Sequence, residues 1–446
     1  MITTMIAIFV IGYILIALEH TLEINKATFA LMMCTLLWTV LSASGLCADV
    51  TTSIIHQLGD TCEILMFLIG AMTIVELIDK YEGFNFITKY VKARRKKMLL
   101  CVLTVITFFM SAVLDNMTTT IIMVMLLRRM LIRKDDRWLF AGVIVIAANS
   151  GGAWSPIGDV TTIMLWMKNN VTTSDLIINL FIPCIISTLV PLWMACKMIK
   201  DDGITQAKVK VASAPDPQLV TVNQRLSKLV LISGVAGLLF VPVFKTATGL
   251  PPFMGMLLSL GALWLLTEII VRKYRLDSSI EGRVSQVVKH IDMPTILFFL
   301  GILMAVGALQ EAGILSNMAQ WLDTTIHEPY LISSSIGVLS SIVDNVPLVA
   351  ACINMYPVVD PATLAAAADP AYEMLFVQNG LFWHLLTFCA GVGGSLLIIG
   401  SAAGVVAMGI EKIPFWWYCK KITHLAFAGY VAGIVSIWIQ SFLMAL

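Results

Sequence analysis

Residues 113–120 read VLDNMTTT and residues 341–348 read SIVDNVPL. Each places an Asp-Asn pair deep inside an apolar run, 98–127 in the first case and 329–358 in the second. An ionisable side chain at bilayer depth costs several kcal/mol unless it is paired or hydrated, so these two strings decide how the runs around them are folded. The first run has cations on both flanks: Lys92, Arg94, Arg95, Lys96 and Lys97 before it, Arg128, Arg129, Arg133, Lys134 and Arg137 after it. Lysine and arginine concentrate on the cytoplasmic side of a membrane, so a segment with both ends cytoplasmic must enter and return. This predicts a re-entrant hairpin with its tip at DNMTTT, 115–120. The second run has acids on its flanks, Glu328 before and Asp360, Asp369 and Glu373 after, with DNVP at 344–347 in its middle. It predicts a second hairpin, entering from outside.

Working outward, further apolar runs lie at 3–18, 27–44, 62–78, 139–167, 175–196, 226–244, 251–271, 293–310, 375–410 and 422–444. Most have the roughly 20 residues that a bilayer crossing needs. Composition agrees: 59% of the 446 residues are hydrophobic and 13% charged, with mean hydropathy +0.89. A soluble globular chain carries about twice that share of charge, which excludes water as the main solvent. The net charge of +1 offers no field for nucleic acid. Nine cysteines without CxxC spacing support neither a zinc site nor a disulfide framework. The opening run has no basic segment before it and no small-residue cleavage signal after it, so residues 3–18 read as a retained membrane helix.

The runs 139–167 and 375–410 are interrupted by NSGGAWSPIGD (149–159) and AGVGGSLLIIGSAAG (390–404). Non-helical backbone at membrane depth survives only where protein packs it or water reaches it, so both are broken helices. The halves also match. FLIGAM (67–72) pairs with FLGILM (299–304), Asp344 follows Asp115 by 229 residues, and Gly393 and Gly400 each follow Gly151 and Gly158 by 242. Short stretches precede both hairpins with apolar residues spaced for a helix lying flat in the interface: Phe84, Ile87 and Val91 in one, Ile314, Met318 and Trp321 in the other. If the basic clusters at 26, 89–97, 128–137, 197–210, 272–289 and 412–421 are all cytoplasmic, both termini are external and the repeat is inverted. The fold class is thus an all-α polytopic membrane protein, an inverted repeat with two re-entrant hairpins and two broken transmembrane helices. Such repeats belong to secondary transporters, with the substrate site at the repeat interface near the midplane.

Oxygen carriers gather at the four polar breaks. Asp115 and Asp344 either cap the second arms of their hairpins or bind a cation; their equivalent placement favours binding, because serine or threonine caps without burying a charge. Asn116 and Asn345 add amide oxygens, and Thr118, Thr119 and Thr120 add hydroxyls. The first break contributes Asn149, Ser150, Ser155 and Asp159, then Thr161 and Thr162. Asp159 directly precedes an apolar helix and is open to a second reading as a plain N-cap. Ser340 and Ser341 lie one turn before Asp344, while Ser395 and Ser401 occupy the second break, Ser401 standing where the first copy has Asp159. Hard alkali cations favour such oxygen ligands, which points to Na⁺ at Asp115, Asp159 and Asp344. His56 and Glu63 stand at the outer end of the helix at 62–78, as a solvated helix start or as a pH-sensing or ion-entry pair.

The strings VLDNMTTT, NSGGAWSPIGDVTT, SIVDNVPL and GGSLLIIGSAAG, in this order over nearly the whole chain, resemble the NhaD-type sodium/proton antiporters of the ion transporter superfamily. The resemblance implies exchange of Na⁺ or Li⁺ for H⁺ across a bacterial inner membrane by a homodimer in lipid, with a static scaffold and a mobile transport domain. It implies no cofactor beyond the transported ions, no covalent chemistry, and no soluble partner. Family roles fall on Asp115, Asn116, Asn149, Asp159, Thr161 and Thr162, on Ser340, Asp344, Asn345, Ser395 and Ser401, and on His56 and Glu63. Related dicarboxylate carriers have Ser-Asn-Thr where this chain has Asp-Asn, a departure that argues against an anionic substrate. Scaffold helices are expected at 1–61 and 226–292, the repeats at 62–199 (hairpin 98–128, broken helix 139–168) and 293–446 (hairpin 329–358, broken helix 375–410), and a cytoplasmic linker at 200–225. The nearest rival is a coupled carrier of an oxyanion or dicarboxylate on the same fold, which would want cations at the breaks. An intramembrane aspartyl protease wants a GxGD-type motif, and PIGD at 156–159 lacks its first glycine. A channel has no need of matched broken helices.

Overall fold

Apolar segments that must satisfy every backbone group internally become helices, and helices stop where a side chain can replace the missing bond. The computed structural model describes residues 1–47, 49–84, 95–199, 224–273, 284–342, 345–366 and 369–444. Outside them lie Asp344, Ile87, Val91, the basic residues at 89–94 and nearly all of the linker at 200–225. Among the described residues no β-strand occurs, and Val359 and Val377 form an isolated bridge.

In chain order the main helices are α1 (Ile2–Ala17), α2 (Lys26–Ser44), α3 (Val50–Lys80), α4 (Lys96–Ser111), α5 (Asn116–Met130), α6 (Lys134–Ala153), α7 (Val160–Met167) and α8 (Thr173–Met198). They continue with α9 (Gln224–Thr248), α10 (Pro252–Lys273), α11 (Met293–Glu311), α12 (Ile314–Thr325), α13 (Pro329–Ser340), α14 (Asn345–Met355), α15 (Leu381–Gly393), α16 (Ala402–Glu411) and α17 (Thr423–Met444). Among the described residues seven of these (α2, α3, α8, α9, α10, α11 and α17) are long and apolar enough to cross a membrane. The chain is a multi-pass membrane protein.

The remaining apolar runs are divided where the polar strings fall. Run 98–127 becomes α4 and α5, of 16 and 15 residues, each about 24 Å long and short of a full crossing. Run 139–167 becomes α6 and α7 around residues 154–159, and the second break, between α15 and α16, spans 394–401. Side chains take over the carbonyls that these breaks free. Ser155 donates to the Ala112 carbonyl, Tyr418 Oη to that of Ser395 at 2.8 Å, and Thr423 Oγ1 to that of Leu396 at 2.7 Å. Asp115, Asp159 and Ser401 each occupy an N-cap and accept from the first turn of the helix that follows.

Their contacts divide the helices into two groups around one continuous hydrophobic core. One is α1, α2, α3, α9, α10 and α11, with α2 against α11 and α3 against α10. The other holds α4 to α8, α13 and α15 to α17, with α14 reaching between the groups to touch α11, α7 and α15. Within the second group the halves interlock: α5 packs on α16, α14 on α7, and α6 on α15.

The internal match extends to contacts. Ser111 donates to the Ala148 carbonyl at 2.6 Å and Ser340 to the Ala390 carbonyl at 2.9 Å, with donors 229 and acceptors 242 residues apart. Gly151 crosses the Phe108 carbonyl, and Gly393 crosses the Gly337 carbonyl at the same two offsets. A Cβ at either glycine would stand 2.2 Å from that oxygen, so these crossings exist only because the side chain is absent. Helix α12 lies ahead of α13 with Met318 and Trp321 exposed and Leu315 and Ala319 buried, the arrangement expected of a helix with one apolar face turned outward.

Candidate ion-binding site

Eight helix ends surround the breaks, and four of the α-helices there (α5, α7, α14, α16) begin beside the ends of four others (α4, α6, α13, α15). Beginnings present unpaired N–H groups and endings unpaired carbonyls, so the region offers partial charges of both signs.

One hydrogen-bonded cluster spans the two halves. Asn116, in the first turn of α5, donates through Nδ2 to Asp159 Oδ2 at 2.8 Å and to Asn149 Oδ1 at 3.1 Å. Asn149, on the last turns of α6, donates through its own Nδ2 to Ser395 Oγ and Ser401 Oγ, both at 2.9 Å. All five side chains are buried: Asn149 and Ser395 fully, Asp159 and Ser401 at 2% exposure, Asn116 at 6%. None of them is cationic, and a carboxylate lies at one end.

The two readings of Asp159 turn out to be compatible because its oxygens divide the work. Oδ1 caps α7, accepting from Thr161 N and Thr161 Oγ1 at 3.1 Å each. Oδ2 faces the Asn116 amide. Asp115 differs. Both its oxygens are held by Thr118, Oδ1 by the backbone N–H at 2.7 Å and Oδ2 by the hydroxyl at 2.6 Å. The expected trio of acids is therefore represented in the cluster by Asp159, with Asp115 one residue outside it and turned onto its own helix start. Asp344 lies outside the described residues, while its neighbour Asn345 opens α14 and is buried.

Other expected residues separate in the same way. Thr119 and Thr162 are fully buried, and the hydroxyl of neither has a hydrogen-bond partner. Such buried orphan hydroxyls are uncommon. Ser340 donates to the Ala390 carbonyl at 2.9 Å, and Ser150 accepts from Ser187 at 3.0 Å. His56 is exposed and Glu63 half-buried on α3, apart from the cluster. The position equivalent to Asn149, 242 residues on, is Gly391, where a Cβ would lie 3.9 Å from Asp159 Oδ2.

Sequence reasoning did not single out Glu411, whose side chain is fully buried at the end of α16. It accepts from Arg128 Nε and Arg137 Nε, each at 2.9 Å, and its carbonyl accepts from Trp138 Nε1 at 3.0 Å. This knot ties α5 and α6 of the first half to α16 of the second. The available signal was an acid closing an apolar helix, in a region where the two arginines needed a buried partner.

The family model for CitMHS, described as citrate transporter, matches residues 13–378. Two Arabidopsis thaliana proteins, sodium/proton antiporter 1 and sodium/proton antiporter 2, are each 44% identical over 97% of this chain, covering 71% and 98% of their own lengths. The Na(+)/H(+) antiporter NhaD of Vibrio cholerae is 28% identical over 96% of this chain and 89% of its own. The chain belongs to the CitMHS family as an NhaD-type sodium/proton antiporter. It is a membrane carrier and not an enzyme, and its ions are cargo, so no cofactor enters the reaction.

Proposed function

We propose that the antiporter exchanges Na⁺ or Li⁺ for H⁺ by alternating access, with both ions competing for one site built on Asp159. The observation that carries this is the buried cluster in which Asp159 Oδ2 faces an amide while Oδ1 holds the helix. A carboxylate buried at such depth is favoured when it holds a proton or a cation. Asn116 presents its NH₂ to Asp159, and a half-turn about its terminal torsion presents Oδ1 to the same place. In this reading Asn149, Thr161, Ser395 and Ser401, hydrogen-bonded in or to the cluster, contribute to an oxygen shell that Thr162, Asp115, Asp344, Asn345 and Ser340 would extend. A resident anion would meet a carboxylate and no lysine or arginine, which disfavours the oxyanion or dicarboxylate reading despite the family's name.

Competition has a kinetic signature. Raising the proton concentration tenfold is expected to raise the apparent KM for Na⁺ up to about tenfold per proton displaced, the equivalent of about 1.4 kcal/mol, with the maximal rate changing far less. Initial rates of Na⁺-driven proton flux from about pH 7 to about pH 9 test it. A flat KM under a titrating maximal rate would move pH control away from Asp159, and His56 and Glu63 would be the next groups to mutate.

The matched contacts at offsets of 229 and 242 support an inverted repeat with hairpins 98–128 and 329–358 entering from opposite faces. In this topology both termini are external, and the group holding α4 to α8 is the mobile domain against a scaffold of α1 to α3 and α9 to α11. Its proposed setting is a bacterial inner membrane, as a homodimer, in line with the family resemblance. Lys97→Cys and Lys134→Cys, which flank the first hairpin on either side, are expected to be labelled by an impermeant thiol reagent from the same side in a cysteine-free background. Labelling from opposite sides would remove the hairpin.

A further inference from the structure

Where α3 passes α7 and α14, the protein has a half-open pocket of about 40 Å³ lined by Gln57, Asp60, Thr61, Lys168, Leu303 and Asn354 among others. This is room for about three waters. Four of these side chains carry oxygen: the Asp60 carboxylate, the Thr61 hydroxyl, and the amides of Gln57 and Asn354. Thr61 is 1% exposed, yet its Oγ1 has no hydrogen-bond partner, so a ligand atom is missing from its surroundings. A cation already stands at the carboxylate. Lys168 Nζ lies 2.6 Å from Asp60 Oδ2, with side-chain exposures of 36% and 37%.

Position gives this pair its meaning. Helix α7 begins at the residue after Asp159 and ends at the residue before Lys168, and its eight residues span about 12 Å. One end holds the carboxylate of the central cluster, and the other carries the ammonium that occupies Asp60. Asp60 belongs to α3, in the opposite packed group, so the pair bridges the two bodies. Lys245 is engaged elsewhere at the same helix end, donating to the Trp166 carbonyl and lying 4.7 Å from the Trp166 ring centre. An ion pair as exposed as Asp60–Lys168 is weak and therefore exchangeable.

We propose that Asp60, with Thr61, Gln57 and Asn354 around it, is an entry site for the monovalent alkali cation, and that Lys168 is a tethered cation which the free ion displaces. The proposal rests on the sodium/proton exchange reading and extends it, since the central cluster does not include α3. Displacing Lys168 frees the end of α7, so filling the entry site also loosens the link between the two packed groups.

The test compares wild type, Asp60→Asn, Lys168→Met and the double variant in proteoliposomes, with proton flux read as a function of Na⁺. Removing the carboxylate removes the site, and Asp60→Asn is expected to raise the apparent KM about threefold or more. Removing the competing ammonium exposes the site, and Lys168→Met is expected to lower KM by about the same factor. The double variant should follow Asp60→Asn, and the maximal rates should stay within about twofold of wild type. If both single variants shift KM in the same direction, the pair only fastens α3 to α7 and the entry site is refuted. If wild type itself shows no Na⁺-dependent proton flux, the exchange reading fails first and this one goes with it.

Discussion

Asp159→Asn is expected to abolish Na⁺-driven proton exchange, with a loss on the order of a hundredfold or more, while the protein still folds and accumulates. Asparagine keeps the acceptor that caps α7 through Thr161, so the helix start survives. What disappears is the charge at Oδ2, which is buried at 2% exposure and faces the Asn116 amide. Without it the cluster is a set of neutral dipoles that can neither release a proton nor neutralise a bare cation. Asp115→Asn should cost less, because both oxygens of Asp115 are already held by Thr118 at 2.7 and 2.6 Å. The measurement is Na⁺-dependent dequenching of a pH-sensitive dye in everted vesicles, alongside size-exclusion profiles of each variant. Near wild-type exchange by Asp159→Asn would leave Asp159 as a helix cap and no more.

That ranking differs from the one the sequence suggests, and the reason is geometric. The strings at 113–120 and 341–348 mark buried acids by depth alone, and depth says nothing about which way a carboxylate turns. Asp115 turns onto Thr118, three residues away, while Asp159 reaches Asn116 across 43 residues of chain. The breaks themselves were legible because glycine, proline and polar residues interrupt apolar runs at fixed places, and the helices end within a few residues of them. The internal match was legible for a related reason: the crossings at Gly151 and Gly393 tolerate no side chain, so both copies carry glycine there. Contacts between distant segments leave no period in the sequence. Glu411 meets Arg128 across 283 residues, and Asn149 meets Ser401 across 252. Lys168 and Asp60 form a pair whose members each read as ordinary helix-end charges.

The glycine crossings lead to the second large effect. Gly151→Ala and Gly393→Ala are each expected to destabilise the protein, by about 1–3 kcal/mol or more. The added Cβ would meet a backbone carbonyl at 2.2 Å in both cases, Phe108 O and Gly337 O, and a carbonyl cannot rotate away as a side chain can. Relief requires α4 to move off α6, or α13 off α15. Gly409, inside α16, provides the contrast, since nothing lies within 4 Å of its would-be Cβ. There alanine gains helix propensity without a clash and should stabilise by about 0.5–1 kcal/mol. In a chain of this size each kcal/mol moves the melting midpoint by a few degrees at most, so the two crossing variants should melt below wild type and Gly409→Ala slightly above it. Thermal unfolding in detergent, followed by tryptophan fluorescence, reads all three. Equal midpoints for Gly151→Ala and Gly409→Ala would mean that the α4–α6 crossing is looser than described. Exchange should fall further than stability in Gly151→Ala, because Gly151 lies two residues from Asn149 on α6. Any shift of that turn moves the Asn149 amide away from Ser395 and Ser401, each now 2.9 Å distant, and opens the link between the two halves of the site.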